Sequence, residues 1–486
     1  MIPTLLTALL AASPATSTEI TVYNQGFALV KENRNLNLKA GRQTFQVEDV
    51  AQLIEPTSVA IRSITAPGSF SVLEQNYQFD LISVQAILEK AVGQKVTFTR
   101  ALPNGAKEVI TGTLMSSPTA IVNTAEMTYN GMVIKADDGR ILLNPSGEIS
   151  VDSLPDGLIS KPTLLWDIDA QKAGANTVEL SYLTQGISWK CDYVLALDKA
   201  GNLGDLRGWV TLDNRSGANY TNSKLKLLAG DVQRVQNQYA APARAAEMDA
   251  MKADSGFAQE QFSDYHLYTL GRPATIKNKE IKQVSLLEAF GVKVKKELVV
   301  DAMNGYGRGF RPNEGVYGNG SFKPVINIVF QNSLENKMGM PLPMGVFKVF
   351  QTDSSGSLQM LGEDRIDHTP KNEKVTITVG TAFDVIVERK RTAFSWIRSG
   401  NDVHGSRETF EIEVRNRKET ADTVSVVERF FGEYTISKNS HPVQQARCKH
   451  HRVPDPGCRR LGAKGNLYRR DQMVRNSICH LVVMSF

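Results

Sequence analysis

Apolar and polar residues alternate along most of this chain, the period of strands with one buried face and one wet face. The stretch "EITVYNQGFALVKENRNLNL" alternates on both sides of a turn, and "RQTFQVEDVAQLIEPTSVAIRSI" adds two further short strands. The period changes at "DLISVQAILEKAVG". There Leu81, Val84, Ile87, Leu88 and Val92 fall near helical spacing and Gly93 is a natural C-terminal stop, so one short amphipathic helix is expected. From Lys95 to Asp152 short strands such as "KVTFTR", "VITGTLM" and "GMVIKA" are separated by tight turns at Pro103–Asn104–Gly105 and Asp137–Asp138–Gly139. Strands this short and evenly spaced predict a small SH3-like or Sm-like barrel capped by the helix.

A second β region opens at "PTLLWDIDAQKAGANTVELSYLTQGISWKCDYVLALD". Residues 236–262 are Ala-rich without an apolar period and read as a linker. The stretch "MNGYGRGFRPNEGVYGNGSF" carries Gly305, Gly307 and Gly309, but it lacks the spacing and the strand-to-helix context of a phosphate loop and reads as a hairpin tip. The long alternating strands "KPVINIVFQNS", "GVFKVFQTD", "KVTITVGTAFDVIVERKR", "RETFEIEVRNRK" and "DTVSVVERFFGEYTI" predict an antiparallel β-sandwich, with Val375, Ile377, Val379, Ile412 and Val414 facing its core. The expected fold is therefore mainly β. It has an N-terminal β segment over 18–75, a small barrel with a capping helix over 76–160, and a β-sandwich region in two parts, 161–235 and 263–445.

The first residues, "MIPTLLTALLAASPATSTEITVYNQG", hold an apolar run from Leu5 to Ala12 followed by small residues, with Ala15 or Ser17 as cleavage points. Residues 1–17 are read as a secretory signal, although a basic leading region is missing. No later run approaches the ~18 apolar residues of a membrane helix. The expected location is periplasmic or extracellular. A length of 486 residues implies roughly two to four domains. The net charge is +5, but the residues from Gln445 onward hold nine Lys/Arg against two Asp/Glu, which leaves the preceding residues at −2. A nucleic-acid partner has no electrostatic footprint outside that tail.

Several strings in consistent order, from about Pro162 to Pro442, resemble a widespread bacterial family. They include "SYLTQGISWKCDYVLALD", "GWVTLDNRSGANYTNSKLKLLAGDV", "YHLYTLGRPATI", "GMPLPMGVFKVFQTDSSGSLQMLGEDRIDHTPKNEKVTITVGTAFDV" and "FEIEVRNRKETADTVSVVERFFGEYTISKNSHP". The family is the domain of unknown function 4139 family, with mucoidy-inhibitor-like relatives. The resemblance implies a secreted or envelope β-sandwich protein and implies no activity. Cys191 departs from the pattern, which suggests a small residue or proline after Trp-Lys.

The segment 446–486 breaks the alternation and reads as disordered or out of frame. "ARCKHHRVPDPGC" brackets His450 and His451 with Cys448 and Cys458, which invites a zinc reading. Two adjacent imidazoles on coil or strand aim apart, however, and a structural zinc site needs four preorganised ligands. Read one nucleotide later, the codons from Gln445 can spell "KLDANTIEFRIPVADGLEPKVTYTVEIKW", in which the Trp is forced by the Met473–Val474 codons. That string is a β-hairpin pattern resembling the family's ending. The zinc-like cluster is therefore read as accidental, and no metal or cofactor is expected.

Outside the tail, His266, His368, His404 and His441 do not pair at metal-ligand spacing. The most suggestive polar string is "GEDRIDHTPKNE", whose catalytic candidates are Glu363, Asp367 and His368, with Asp364 beside them. A carboxylate beside an imidazole can do acid–base work or hold a cation. The alternative is a turn in which Asp367 and Thr369 satisfy backbone donors and Pro370 fixes the bend. Ser188 lacks the nucleophile-elbow motif. Trp189 and Trp209 read as sandwich core or inter-domain contacts, and alternation of Tyr265, His266 and Tyr268 reads as cross-strand packing. Three functions fit. The first is a non-catalytic envelope protein presenting β-surfaces to a protein or glycan. The others are a hydrolase acting on an envelope polymer and an assembly chaperone offering a sheet edge for strand addition.

Overall fold

The computed structural model describes residues 10–11, 13–123, 127–234, 257–262, 265–304, 313–431, 435–438, 443–447 and 479–485. Within them the protein is mainly β, with one α-helix and mostly antiparallel sheets. Among the described residues no helix is long and apolar enough to cross a membrane, and no sheet closes into a barrel. The chain divides into two compact units.

The first unit comprises residues 1–188, 212–226 and 272–282. Its longest ladder joins Phe27–Leu38 to Gly174–Gln185, antiparallel from Phe27↔Gln185 to Leu38↔Gly174. Gly26, at φ 88°, turns the chain from Ser17–Tyr23 into Phe27–Leu38 with Ile20 opposite Val30. Alternate residues of Phe27–Leu38 are buried, as the pattern predicts, but two of them are Glu32 and Arg34. They are tolerated because Arg34 donates to Glu32 from Nε and Nη2 at 3.0 and 2.7 Å, and the Tyr182 hydroxyl donates to Glu32 at 3.3 Å. Ala60–Ser63 lies at one end of this sheet. A second sheet runs in the order Leu10–Ala11, Gly41–Glu48, Thr163–Ala170, Phe70–Gln78. Leu10–Ala11, within the segment read as a signal, pairs in parallel with Phe45 and Gln46.

The same unit holds the helix and the short strands expected as a small barrel, but among the described residues those strands form an open sheet and do not close. The helix spans Val84–Lys90. The Ser83 side chain accepts from the Ala86 amide at 3.0 Å as an N-cap, and Gly93, at φ 86°, follows the C-cap. Leu88 and Ala91 pack on Val96, Phe98, Leu114 and Ile134 from an adjoining sheet. That sheet has the order Ile141–Leu143, Val133–Ala136, Lys107–Ser116, Lys95–Ala101, Glu148–Val151. Gly112 lies so near the Lys135 carbonyl that an added Cβ would overlap it, which explains a glycine inside a strand. The turns at Gly105 and Gly139 form where expected, each with positive φ.

The second unit comprises residues 189–211, 227–271 and 283–486. Gly345–Thr352 pairs in parallel with Ile187–Leu197, Cys191 opposite Gly345, and antiparallel with Leu358–Ile366. A six-stranded sheet has the order Lys374–Thr381, Val325–Gln331, Lys295–Asp301, Val424–Phe431, Cys479–Ser485, Val443–Arg447. A three-stranded sheet has Gly320–Phe322 beside the long hairpin Val385–Ser399 and Asp402–Asn416. Leu298, Val300, Val424 and Val426 of the six-stranded sheet share one apolar cluster with Val385, Val387, Ile412 and Val414 of the hairpin. Val375 and Ile377 are buried in the same unit.

Two segments carry structure that the sequence reading did not assign. Phe257–Phe262, within the segment read as a linker, forms a hairpin with Tyr265–Leu270, and its Phe257 is buried. In the tail, Cys479–Ser485 pairs antiparallel with both Val424–Phe431 and Val443–Arg447. Residues 448–478, which include Cys448, His450, His451 and Cys458, lie outside the described residues. So do 235–256 and Gly305, Gly307 and Gly309.

Candidate functional site

In the second unit the string "GEDRIDHTPKNE" runs from the end of Leu358–Ile366 into a loop against residues 338–344. Ladder pairing sets Asp364 opposite Phe347 and Glu363 opposite Lys348. The Asp364 carboxylate accepts from the Arg365 amide and from the Thr378 amide, both at 2.9 Å. Glu363 is exposed. The Asp367 side chain is also exposed, while its carbonyl accepts from the Thr369 hydroxyl at 2.8 Å. His368 Nδ1 accepts from the Met344 amide at 3.1 Å. Thr369 and Leu342 exchange both backbone hydrogen bonds, at 2.8 and 2.9 Å.

The loop facing this string, "MGMPLPMG", is irregular and largely buried. Its prolines have no amide to donate, and buried carbonyls need partners. Side chains supply them. The Tyr193 hydroxyl donates to the Pro343 carbonyl at 2.8 Å and the Tyr268 hydroxyl to the Pro341 carbonyl at 3.1 Å. Asn332 Nδ2 donates to the carbonyls of Met340 and Pro370 at 2.9 and 3.0 Å, tying the two loops together. Trp189, buried and edge-on to Tyr268, donates to the Leu228 carbonyl at 3.3 Å. Cys191 is buried beside this layer, and burial pushes its thiol up to about 12, far from a reactive thiolate at neutral pH.

The structure also brings together residues that the sequence keeps far apart. His368 lies close enough to His266 to lower its proton affinity: His266 is held below the ordinary histidine range by burial, then by His368 and Lys371. Its Nδ1 meets the Gln259 side-chain amide at 2.9 Å. His368 is likewise lowered, by burial, against the opposing pull of Asp231 and Asp367. Its ring keeps appreciable exposed area, but Nδ1 is turned onto backbone, so the neutral form carries its proton on Nε2. Spacing gave no hint of this cluster, because its members come from separate strands and loops.

The cluster is two imidazoles whose proton affinity burial lowers, with Asp231 and Asp367 near His368 and each Nδ1 within hydrogen-bond distance of a protein nitrogen. Among the described residues no group of three or more His, Cys, Asp or Glu is placed to hold a metal ion. A shallow depression of about 480 Å³ lies in the first unit, lined by Ile61, Ile64, Pro67, Phe70 and Val72 with Arg62 and Ser63, and holds none of the candidate acids. Comparison with protein-family models, with curated proteins and with solved structures finds no match.

Proposed function

We propose that the chain is an exported cell-envelope β-protein with a binding or structural role, related to the domain of unknown function 4139 family. On this reading the small sheet and its helix are an SH3-like or Sm-like barrel in reduced form, and the sheets sharing the Leu298–Val387 cluster are a β-sandwich. The observation that carries the non-catalytic part is the employment of the polar string. Asp364 accepts from two backbone amides and His368 Nδ1 from a third, so the imidazole nitrogen that would act as base is spent on backbone, while the Glu363 and Asp367 side chains stay exposed. A hydrolase needs its base free to take a proton from a substrate. The strand-addition reading is the second choice, favoured by strands of the first unit that end their sheets among the described residues. The out-of-frame tail belongs to the same proposal.

The test is the address and the mature start. Cell fractionation with mass spectrometry should find the protein outside the inner membrane, beginning near Thr16 to Glu19. Protein that keeps Met1 and stays in the cytosolic fraction would remove the envelope role.

A further inference from the structure

In the first unit two strands end their sheets. Phe70–Gln78 pairs with Thr163–Ala170 on one side, and Ala60–Ser63 pairs with Gly174–Gln185 on one side. Neither carries a further strand among the described residues. The 480 Å³ depression opens beside these edges, lined by Ile61 from one, Phe70 and Val72 from the other, and Ile64 and Pro67 from the connection between them. Phe70 and Val72 sit opposite Ala170 and Ile168, which are buried, so their side chains share the inner, apolar face. Seven of the nine residues of Phe70–Gln78 are exposed, on both faces, and the strand holds neither Pro nor Lys to blunt its edge.

The outer face of the same sheet is acidic. Glu74 lies opposite Asp167, and Ser71 opposite Asp169. Arg42 pairs with Asp167 and reaches Glu74 at 3.5 Å, so three carboxylates share one guanidinium. The charge also decides against one occupant. Two copies pairing antiparallel about the centre of Phe70–Gln78 would set Glu74 against Glu74, a like-charge pair. A foreign strand with Lys or Arg there meets complementary charge.

We propose that Phe70–Gln78 is a strand-addition site for an extended segment of another polypeptide. Alternate residues of that segment are apolar and fill the groove, and the intervening ones are Lys or Arg and face Glu74, Asp167 and Asp169. Backbone hydrogen bonds along the open edge hold the segment, and the two faces select it. This deepens the binding role proposed above and rests on it.

The probe is a labelled synthetic nonapeptide alternating Val and Lys, added to the full chain, with a Val and Glu peptide as control. The Lys peptide is expected to bind and to slow amide exchange across residues 70–78. Binding should weaken by roughly tenfold or more for the Glu peptide, and likewise for Val72→Lys protein. Val72 and Glu74 both have solvent access, an unchanged denaturant midpoint checks that each variant folds, and Glu74→Lys should shift preference toward the Glu peptide. Equal binding of the two peptides, unchanged exchange at 70–78, or wild-type binding by Val72→Lys would overturn the proposal. An envelope partner held equally by wild-type and Val72→Lys protein would remove this edge while leaving the binding role standing.

Discussion

The buried pair Arg389–Glu428 offers the clearest quantitative test of how the second unit is held. Both side chains are nearly inaccessible, at 2% and 1% exposure. Arg389 donates to Glu428 from Nε at 2.6 Å and from Nη2 at 2.8 Å, and from Nη1 to the Tyr317 carbonyl at 3.2 Å. Its guanidinium lies 4.3 Å from the Phe410 ring centre. The pair joins the hairpin strand Val385–Ser399 to Val424–Phe431 beside the Val385–Val426 cluster. Glu428→Gln keeps the volume and deletes the charge, leaving a guanidinium buried without compensation. Breaking such a pair from one side costs about 3–5 kcal/mol, a large share of the ~5–15 kcal/mol that stabilises a domain. Arg389→Met should cost a similar amount. The double variant Arg389→Met with Glu428→Leu replaces both charges with apolar volume and should cost far less than the two single losses together. Denaturant unfolding of the wild type, Arg389→Met, Glu428→Leu and their combination gives the cycle, with Glu428→Gln as the charge-only variant and native-state hydrogen exchange on Val385–Ser399 as the local readout. A loss under about 1 kcal/mol for either single variant, or a double variant that loses the full sum, would refute the reasoning.

Three further outcomes follow from the same geometry. Tyr193→Phe and Tyr268→Phe each strip a donor from a buried proline carbonyl and should lower stability by about 1–3 kcal/mol, read from the denaturant midpoint. Burial lowers the proton affinity of His266 and His368 in the folded protein, so as pH falls the unfolded chain takes up protons first. Their contribution is complete above an unfolded pKa of about 6.5 and is lost as pH falls from there through the lowered folded values. His368→Asn, which keeps an acceptor for the Met344 amide and cannot titrate, should flatten the pH dependence of stability below about 6.5. Replacing the residues from Gln445 onward with the alternative-frame hairpin should raise the soluble fraction and the denaturant midpoint. Equal values would show that Cys479–Ser485 completes the sheet in its own right.

The alternation of apolar and polar residues made the strands legible, and the helix over Val84–Lys90 with its Gly93 stop was equally plain. What the pattern hid were charges on buried faces. Glu32, Arg34, Arg389 and Glu428 occupy core-facing positions, and only a partner's location makes a buried charge tolerable. Pairing between distant segments was hidden for the same reason. Thr163–Ala170 sits between Gly41–Glu48 and Phe70–Gln78, and Gly345–Thr352 beside Ile187–Leu197, although local sequence specifies faces and not neighbours. In the candidate site, the turn reading had Asp367 and Thr369 satisfying backbone donors, whereas in the fold the Asp367 side chain is exposed and the Thr369 hydroxyl donates to the Asp367 carbonyl. The approach of His266 to His368, and the tyrosine partners of the proline loop, required the fold.

The central claim is that this chain works by contact and that its polar string serves the fold. Asp367 separates the two roles, because its side chain is exposed and only its carbonyl is engaged. The most direct measurement is adduct formation in intact cells from a photoreactive residue placed at Ser71, in wild-type, Asp367→Asn and Val72→Lys backgrounds. The expected result is an adduct of defined mass that persists undiminished with Asp367→Asn and disappears with Val72→Lys. An adduct lost with Asp367→Asn while the protein stays folded, or one indifferent to Val72→Lys, would contradict it.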